Sequence, residues 1–195
     1  MEEQPILIPI IILILLICFI IKTEGFKTVR RTCVNSNKTY EVQDFPENQK
    51  IANMIGEIEI IIDKFTKYLK NKYPSDDRIK RLVSNIKHTK YIESEFEKQT
   101  SSFTINKGEM ISLCLRQKDK DKTIHTMDTL MFVVIHELGH VITKSEGHTQ
   151  EWLKNFRFLL REAKNGGFYE PVNYSKNNIN YCGVDVTHNP YYNSD

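Results

Sequence analysis

Residues 129–144 read TLMFVVIHELGHVITK, and the fold is decided there. The run is apolar on nearly every side, yet it carries His136, Glu137 and His140 in an H-E-x-x-H spacing. At about 100° per residue, His136 and His140 fall about 40° apart around a helix and one turn apart along it. Two imidazoles so placed can share a zinc ion, with Glu137 beside them to hold and deprotonate the water that the metal activates. Unpartnered polar groups in an apolar helix are costly. Three ionisable side chains together in such a helix therefore point to chemistry more than to packing. Thr126 or Asp128 supplies the N-cap. Gly139 costs a helix about 1 kcal/mol against Ala, and the sequence shows no reason for it.

A catalytic zinc takes three protein ligands and keeps one position open for water. The turn Ser145-Glu146-Gly147 brings the chain back, and His148 follows it, giving H-E-x-x-H-x7-H. The alternatives are Glu146, His125, Glu151 and His188. Glu146 stands too near the helix end to swing round easily, and Glu151 falls inside the next helix. His125 precedes the motif helix, and His188 lies in the tail. His148 is the expected third ligand. A helix then runs from about residue 150 to 163, with Trp152, Phe156, Leu159 and Leu160 inward, and docks His148 against the motif helix. Gly166-Gly167 ends it. The tail beyond is rich in Tyr and Asn. Its phenols are of the type that stabilises an oxyanion, and none is singled out.

Upstream, Ile51, Ile55, Ile58, Ile62, Phe65 and Leu69 recur at steps of three and four, one face of a helix that stops at Tyr73-Pro74. Ser75, with Asp76 and Asp77 behind it, caps a second helix whose inward residues are Ile79, Leu82, Val83 and Ile86. The period changes to two over residues 101–116, where the turn Asn106-Lys107-Gly108-Glu109 separates two alternating stretches, a β-hairpin. Its strand from residue 109 to 115 is the expected edge along which a substrate peptide would add. Helices plus a small sheet make the class α+β.

Lys and Arg total 27 against 25 Asp and Glu, a net charge of +2. That balance argues against a strongly electrostatic nucleic-acid binder, and no clear nucleic-acid-binding element stands out. Four cysteines in 195 residues are too few for a disulfide scaffold. They fit a reducing compartment, with Cys33 and Cys182 as the expected pair should the domain face an oxidising one.

Residues 5–21, PILIPIIILILLICFII, are free of charge. As a helix they would span roughly 25 Å, the short end for a bilayer core of about 30 Å. The acidic start and the lack of a small-residue cleavage site argue for a retained anchor over a signal peptide. Lys22, Lys27, Arg30 and Arg31 follow the run, which places the remainder on the cytosolic side. The expected organisation is a tail at 1–4, a transmembrane anchor at 5–21, a linker or edge element at 22–45 with a strand near 39–42, and a catalytic domain at 46–195. The expected location is that of a single-pass membrane protein, in a virion or viral-factory membrane if the source is a virus.

His136-Glu137-Leu138-Gly139-His140, then Gly147-His148 and Glu151-Trp152, is similar to the H-E-L-x-H…G-H-x-x-[DE]-[FW] pattern of the WLM and SprT-like zinc metallopeptidases. The chain most resembles the metallopeptidases predicted in large DNA viruses. It shares with them Asn106-Lys107-Gly108-Glu109 leading to Leu113-Cys114-Leu115-Arg116, Thr129-Leu130-Met131-Phe132, Trp152 through Leu160, and Tyr181-Cys182-Gly183. The resemblance covers residues 40–190 or so. It implies a zincin-like fold with zinc on His136, His140 and His148, Glu137 as the base, and a protein or peptide as substrate. It departs from the usual WLM pattern in the longer spacing between the second and third histidines. The competing reading is a virion or membrane structural protein of the same fold that has lost catalysis.

Overall fold

A computed structural model describes residues 9–12, 27–96 and 101–192. The chain opens with an antiparallel hairpin, β1 (Thr28–Thr32) and β2 (Thr39–Gln43), in which Thr28 faces Gln43 and Thr32 faces Thr39. Helices α1 (Asn48–Lys72) and α2 (Asp77–Ile86) follow. Strands β3 (Lys90–Glu93), β4 (Phe103–Ile105) and β5 (Met110–Leu113) lead to helices α3 (Met127–Ile142) and α4 (Gln150–Asn165). A second hairpin, β6 (Ile179–Tyr181) and β7 (Val184–Val186), and a 3-10 turn at Pro190–Tyr192 close the described chain.

The α1 stripe expected from its spacing is buried throughout: Ile51, Ile55, Ile58, Ile62, Phe65 and Leu69. The β1–β2 hairpin lies against it, with Cys33, Tyr40 and Val42 buried in the contact. α2 is capped one residue later than expected, by Asp76, whose carboxylate accepts from the Arg78 N–H at 2.8 Å. α3 packs between α2, α4 and β4, which explains an apolar sequence on every side of it.

The three-stranded sheet has the order β3-β5-β4. β3 runs parallel to β5, with Lys90 opposite Met110 and Glu93 opposite Leu113. β4 runs antiparallel to it, with Ile105 opposite Met110 across the expected turn. β5 is therefore central and bonded on both sides, which corrects the expectation that residues 109–115 form the edge. Among the described residues the outer edge next to α3 belongs to β4.

Two further expectations are corrected. No helix of the described residues is long and apolar enough to cross a membrane. The transmembrane helix and the single-pass location are therefore not carried forward. Of residues 5–21, only 9–12 are described, as a helical fragment, and the rest of that expectation lies outside the described residues. The disulfide joins Cys182 to Cys114, while Cys33 is a buried free thiol beside α1. The Cys114–Cys182 bond closes a loop that contains α3, α4 and the histidine turn between them.

Candidate metal centre

α3 starts at Thr126, whose side chain accepts from the Thr129 N–H, with Asp128 in the first turn to complement the helix dipole. At its far end the exposed carbonyls find side-chain partners. Thr143 leaves the helix with extended backbone and donates its hydroxyl to Gly139 O at 2.6 Å. Thr143 in turn accepts from Asn155 Nδ2 at 2.9 Å, and Asn155 Oδ1 accepts from Arg78 at 3.1 Å. Arg81 donates to Ile142 O. These bonds satisfy carbonyls that a helix C-terminus leaves unpaired.

The turn after α3 is held from three sides. Gly147 takes φ +73°, a left-handed conformation that suits glycine. Lys107, from the β4–β5 turn, donates to Ser145 O at 2.7 Å and pairs with Glu146 at 3.0 Å. Glu151 accepts from the N–H groups of Lys144 and Ser145 at 3.3 and 3.1 Å. Thr149 caps α4 by accepting from the Trp152 N–H. His148 is carried between these fixed points.

The result brings three imidazoles together. Nε2 of His148 lies 3.0 Å from Nε2 of His136 and 3.2 Å from Nε2 of His140. One ligand atom from each of the three residues lies within 4.8 Å of the others. Nitrogens bound to a tetrahedral zinc at about 2.0–2.1 Å stand about 3.3 Å apart, so the spacing fits such an ion. Burial, and then the two neighbouring imidazoles, hold His136 down to about 3. Burial and then His148 hold His140 down to about 4. Both rings are neutral near pH 7 and offer lone pairs, as metal ligation requires. The alternatives for the third position lie outside this group of ligand atoms. Glu146 is exposed in its pair with Lys107, Glu151 caps the turn, and His125 Nε2 lies 3.3 Å from Cys182 Sγ.

Glu137 is 3% exposed, and burial pushes its carboxyl up to about 7 against the pull of a hydrogen bond from Thr104 Oγ1 at 2.7 Å. Glu137, His140 and His148 share with Thr104 and Lys107 a pocket of about 440 Å³. No tyrosine of the described residues lines it. The phenol of Tyr181 is committed to Ser102 and Cys114 O, and that of Tyr192 to Pro171 O. Thr104 was not singled out by sequence, since a Thr alternating along a short strand carries no signal of a partner 33 positions away. The sequence marks Lys107 only as a turn residue.

Trp152, expected as core, is a platform for the triad. Its ring centroid lies 4.4 Å from that of His148, 4.7 Å from His136 and 5.3 Å from His140. This accounts for Gly139: a Cβ there would sit 3.0 Å from Trp152 Nε1. The indole is hemmed in by the three imidazoles and by Phe156 at 5.1 Å, and has no room to give way. Gly139→Ala is therefore expected to destabilise the protein. The roughly 1–3 kcal/mol of overpacking outweighs the gain of about 1 kcal/mol in helix propensity. A rise in the thermal midpoint of this variant would refute the account of Gly139.

Residues 75–176, which take in α2 through α4 and the triad, match the WLM domain. The chain is similar to "Uncharacterized protein R325" of Acanthamoeba polyphaga mimivirus, 32% identical over 155 residues, 77% of this chain and 78% of that protein. It is 37% identical over 79 residues to "Uncharacterized protein 136R" of Invertebrate iridescent virus 6, covering 40% of this chain and 44% of that relative. The crystal structure of Wss1 from Saccharomyces cerevisiae superposes with a TM-score of 0.48 at 20% identity, over 65% of this chain and 88% of that one. By the domain match and the mimivirus relative, this chain belongs to the WLM-domain family and carries a metallopeptidase-like domain.

Proposed function

We propose that this protein is a zinc-dependent peptidase, with His136, His140 and His148 as the metal ligands and Glu137 as the general base. The observation that carries the reading is the convergence of three imidazole nitrogens next to the buried carboxyl group of Glu137, which follows His136 on the same helix. When bound, zinc would supply Lewis-acid polarisation of the scissile carbonyl and of the attacking water. The remaining work falls to the chain. Glu137 orients the water, takes one of its protons as the oxygen attacks the carbonyl carbon, and passes that proton to the amine as the C–N bond breaks. Among the described residues no strand pairs with the outer edge of β4, which lies beside the pocket, so an extended substrate adds there as a further strand.

The ligand set is tested by metal analysis. Wild-type protein is expected to hold one zinc per chain. His148→Ala is expected to lose it at nanomolar free zinc, because a three-ligand site becomes a two-ligand one. Stoichiometric zinc in that variant would sink the assignment of His148.

A further inference from the structure

Glu137 comes from α3, and the hydrogen bond that the described residues make to its carboxylate comes from a different element. Thr104 Oγ1, on β4, reaches Glu137 Oε2 at 2.7 Å. A Glu carboxylate turns easily about its last side-chain bond, where the torsional wells are broad. Among the described residues no second hydrogen bond to that carboxylate fixes the turn.

Thr104 is itself held by the sheet. It stands opposite Ile111 in the β4–β5 register, and Phe103 stands opposite Ser112. Ser102, at the foot of β4, accepts from the Cys114 N–H at 3.0 Å and shares a hydrogen bond of 2.6 Å with the Tyr181 phenol. That phenol donates to Cys114 O at 2.8 Å. The Thr104 hydroxyl is thus referenced to the buried sheet and, through Tyr181, to the tail that the Cys114–Cys182 bond secures.

We propose that Thr104 is the positioning residue of the candidate base: its hydroxyl pins Oε2 of Glu137 and leaves Oε1 to accept from water in the shared pocket. The inference rests on the reading of Glu137 as a base. Thr104 touches the carboxylate and not the reacting atoms. Pre-orientation of this kind acts on turnover more than on substrate binding, since a misplaced group of about 1 Å costs as much as 10²-fold.

The test compares the zinc-loaded full chain with Thr104→Val, which keeps the shape and removes the hydroxyl, and Thr104→Ser, which keeps the hydroxyl. Two readouts are taken on samples of equal zinc content: hydrolysis of a fluorogenic casein, and calorimetric binding of acetohydroxamate. This chelator's ionising proton needs an acceptor carboxylate beside the metal. Thr104→Val is expected to lower kcat by about 10- to 100-fold with KM within about twofold, and to weaken acetohydroxamate about tenfold. Thr104→Ser is expected to restore both to within about threefold. Thr104→Ala repeats the deletion should Val not fold.

Equal kcat and equal acetohydroxamate affinity in the deletion variants overturn the proposal, as does failure of folded Thr104→Ser to restore them. Should zinc-loaded wild type leave casein intact, the peptidase reading is what fails. The acetohydroxamate comparison then still decides for or against Thr104.

Discussion

Glu137→Gln is expected to keep its zinc and to lower peptide hydrolysis by about 10²- to 10⁴-fold, the usual loss when general-base catalysis is removed. The substitution changes little else. Gln has the size of Glu, and its amide oxygen can still accept from Thr104 Oγ1, 2.7 Å from Oε2 in the native site. Burial already disfavours the charged form of Glu137, so a neutral amide relieves that penalty and the variant should fold at least as well. Neither side-chain oxygen of Glu137 is in the ligand group of the triad, so zinc content should match wild type. The variant thus separates carrying a proton from holding a metal. Zinc-replete Glu137→Gln with wild-type turnover would remove Glu137 from the mechanism.

Arg116→Met is expected to destabilise the fold by about 3–5 kcal/mol, the usual cost of orphaning a buried charge. The side chains of Arg116 and Glu93 are 4% and 1% exposed, with Arg116 Nε 2.9 Å from Glu93 Oε1. Glu93 Oε2 accepts from the Gln43 N–H at 2.7 Å, and Arg116 donates to Pro46 O at 2.7 Å. One ion pair thereby ties β2, the end of β3, the residues after β5 and the entry to α1. Met fills the volume but leaves Glu93 charged, buried and held by one N–H.

The sign of the pH dependence follows. Burial raises the Glu93 carboxyl above its ordinary value, against the pull of Gln43 and Arg116. Loss of Arg116 removes part of that pull and raises it further. The penalty is then fully present above the folded value and gone below the unfolded value of about 4.3. The deficit of Arg116→Met, measured by urea unfolding, should shrink as pH falls from 7 toward 4. Adding Glu93→Leu should recover much of it at pH 7, since buried pairs often replace well with apolar ones. A deficit under about 1 kcal/mol at pH 7 would show that the pair contributes little.

What was legible in the sequence was local. The spacing of Ile51 to Leu69 exposes the buried stripe of α1, since a helix repeats its face every three or four residues. Asn106-Lys107-Gly108 marks a turn for the same kind of reason: Asn106, Lys107 and Gly108 all take positive φ. His136 and His140 share a face by spacing alone. What was not legible depends on distant pairing. β3 is four residues long and gains its partner β5 only across the β4 hairpin, so neither length nor alternation betrays it.

The edge of the sheet was misassigned on the same ground, because a hairpin does not reveal which of its strands a third one covers. The partner of Cys182 could not be chosen by spacing, and Gly139 made sense only once Trp152 was seen against it. Apolar length alone suggests a membrane anchor at residues 5–21, and the described residues hold no helix long and apolar enough to cross a membrane.

Peptide hydrolysis by this chain is expected to depend on zinc held by the His136, His140 and His148 triad. This dependence is tested most directly by exposing a proteome-derived peptide library to wild-type protein as zinc-loaded, as stripped with 1,10-phenanthroline, and as reloaded with one equivalent of zinc. New N-termini are counted by mass spectrometry beside the zinc content of each sample. Cleavage is expected in the loaded and reloaded samples and none in the stripped one. Continued cleavage without metal, or an intact library in the presence of fully zinc-loaded protein, would contradict that expectation.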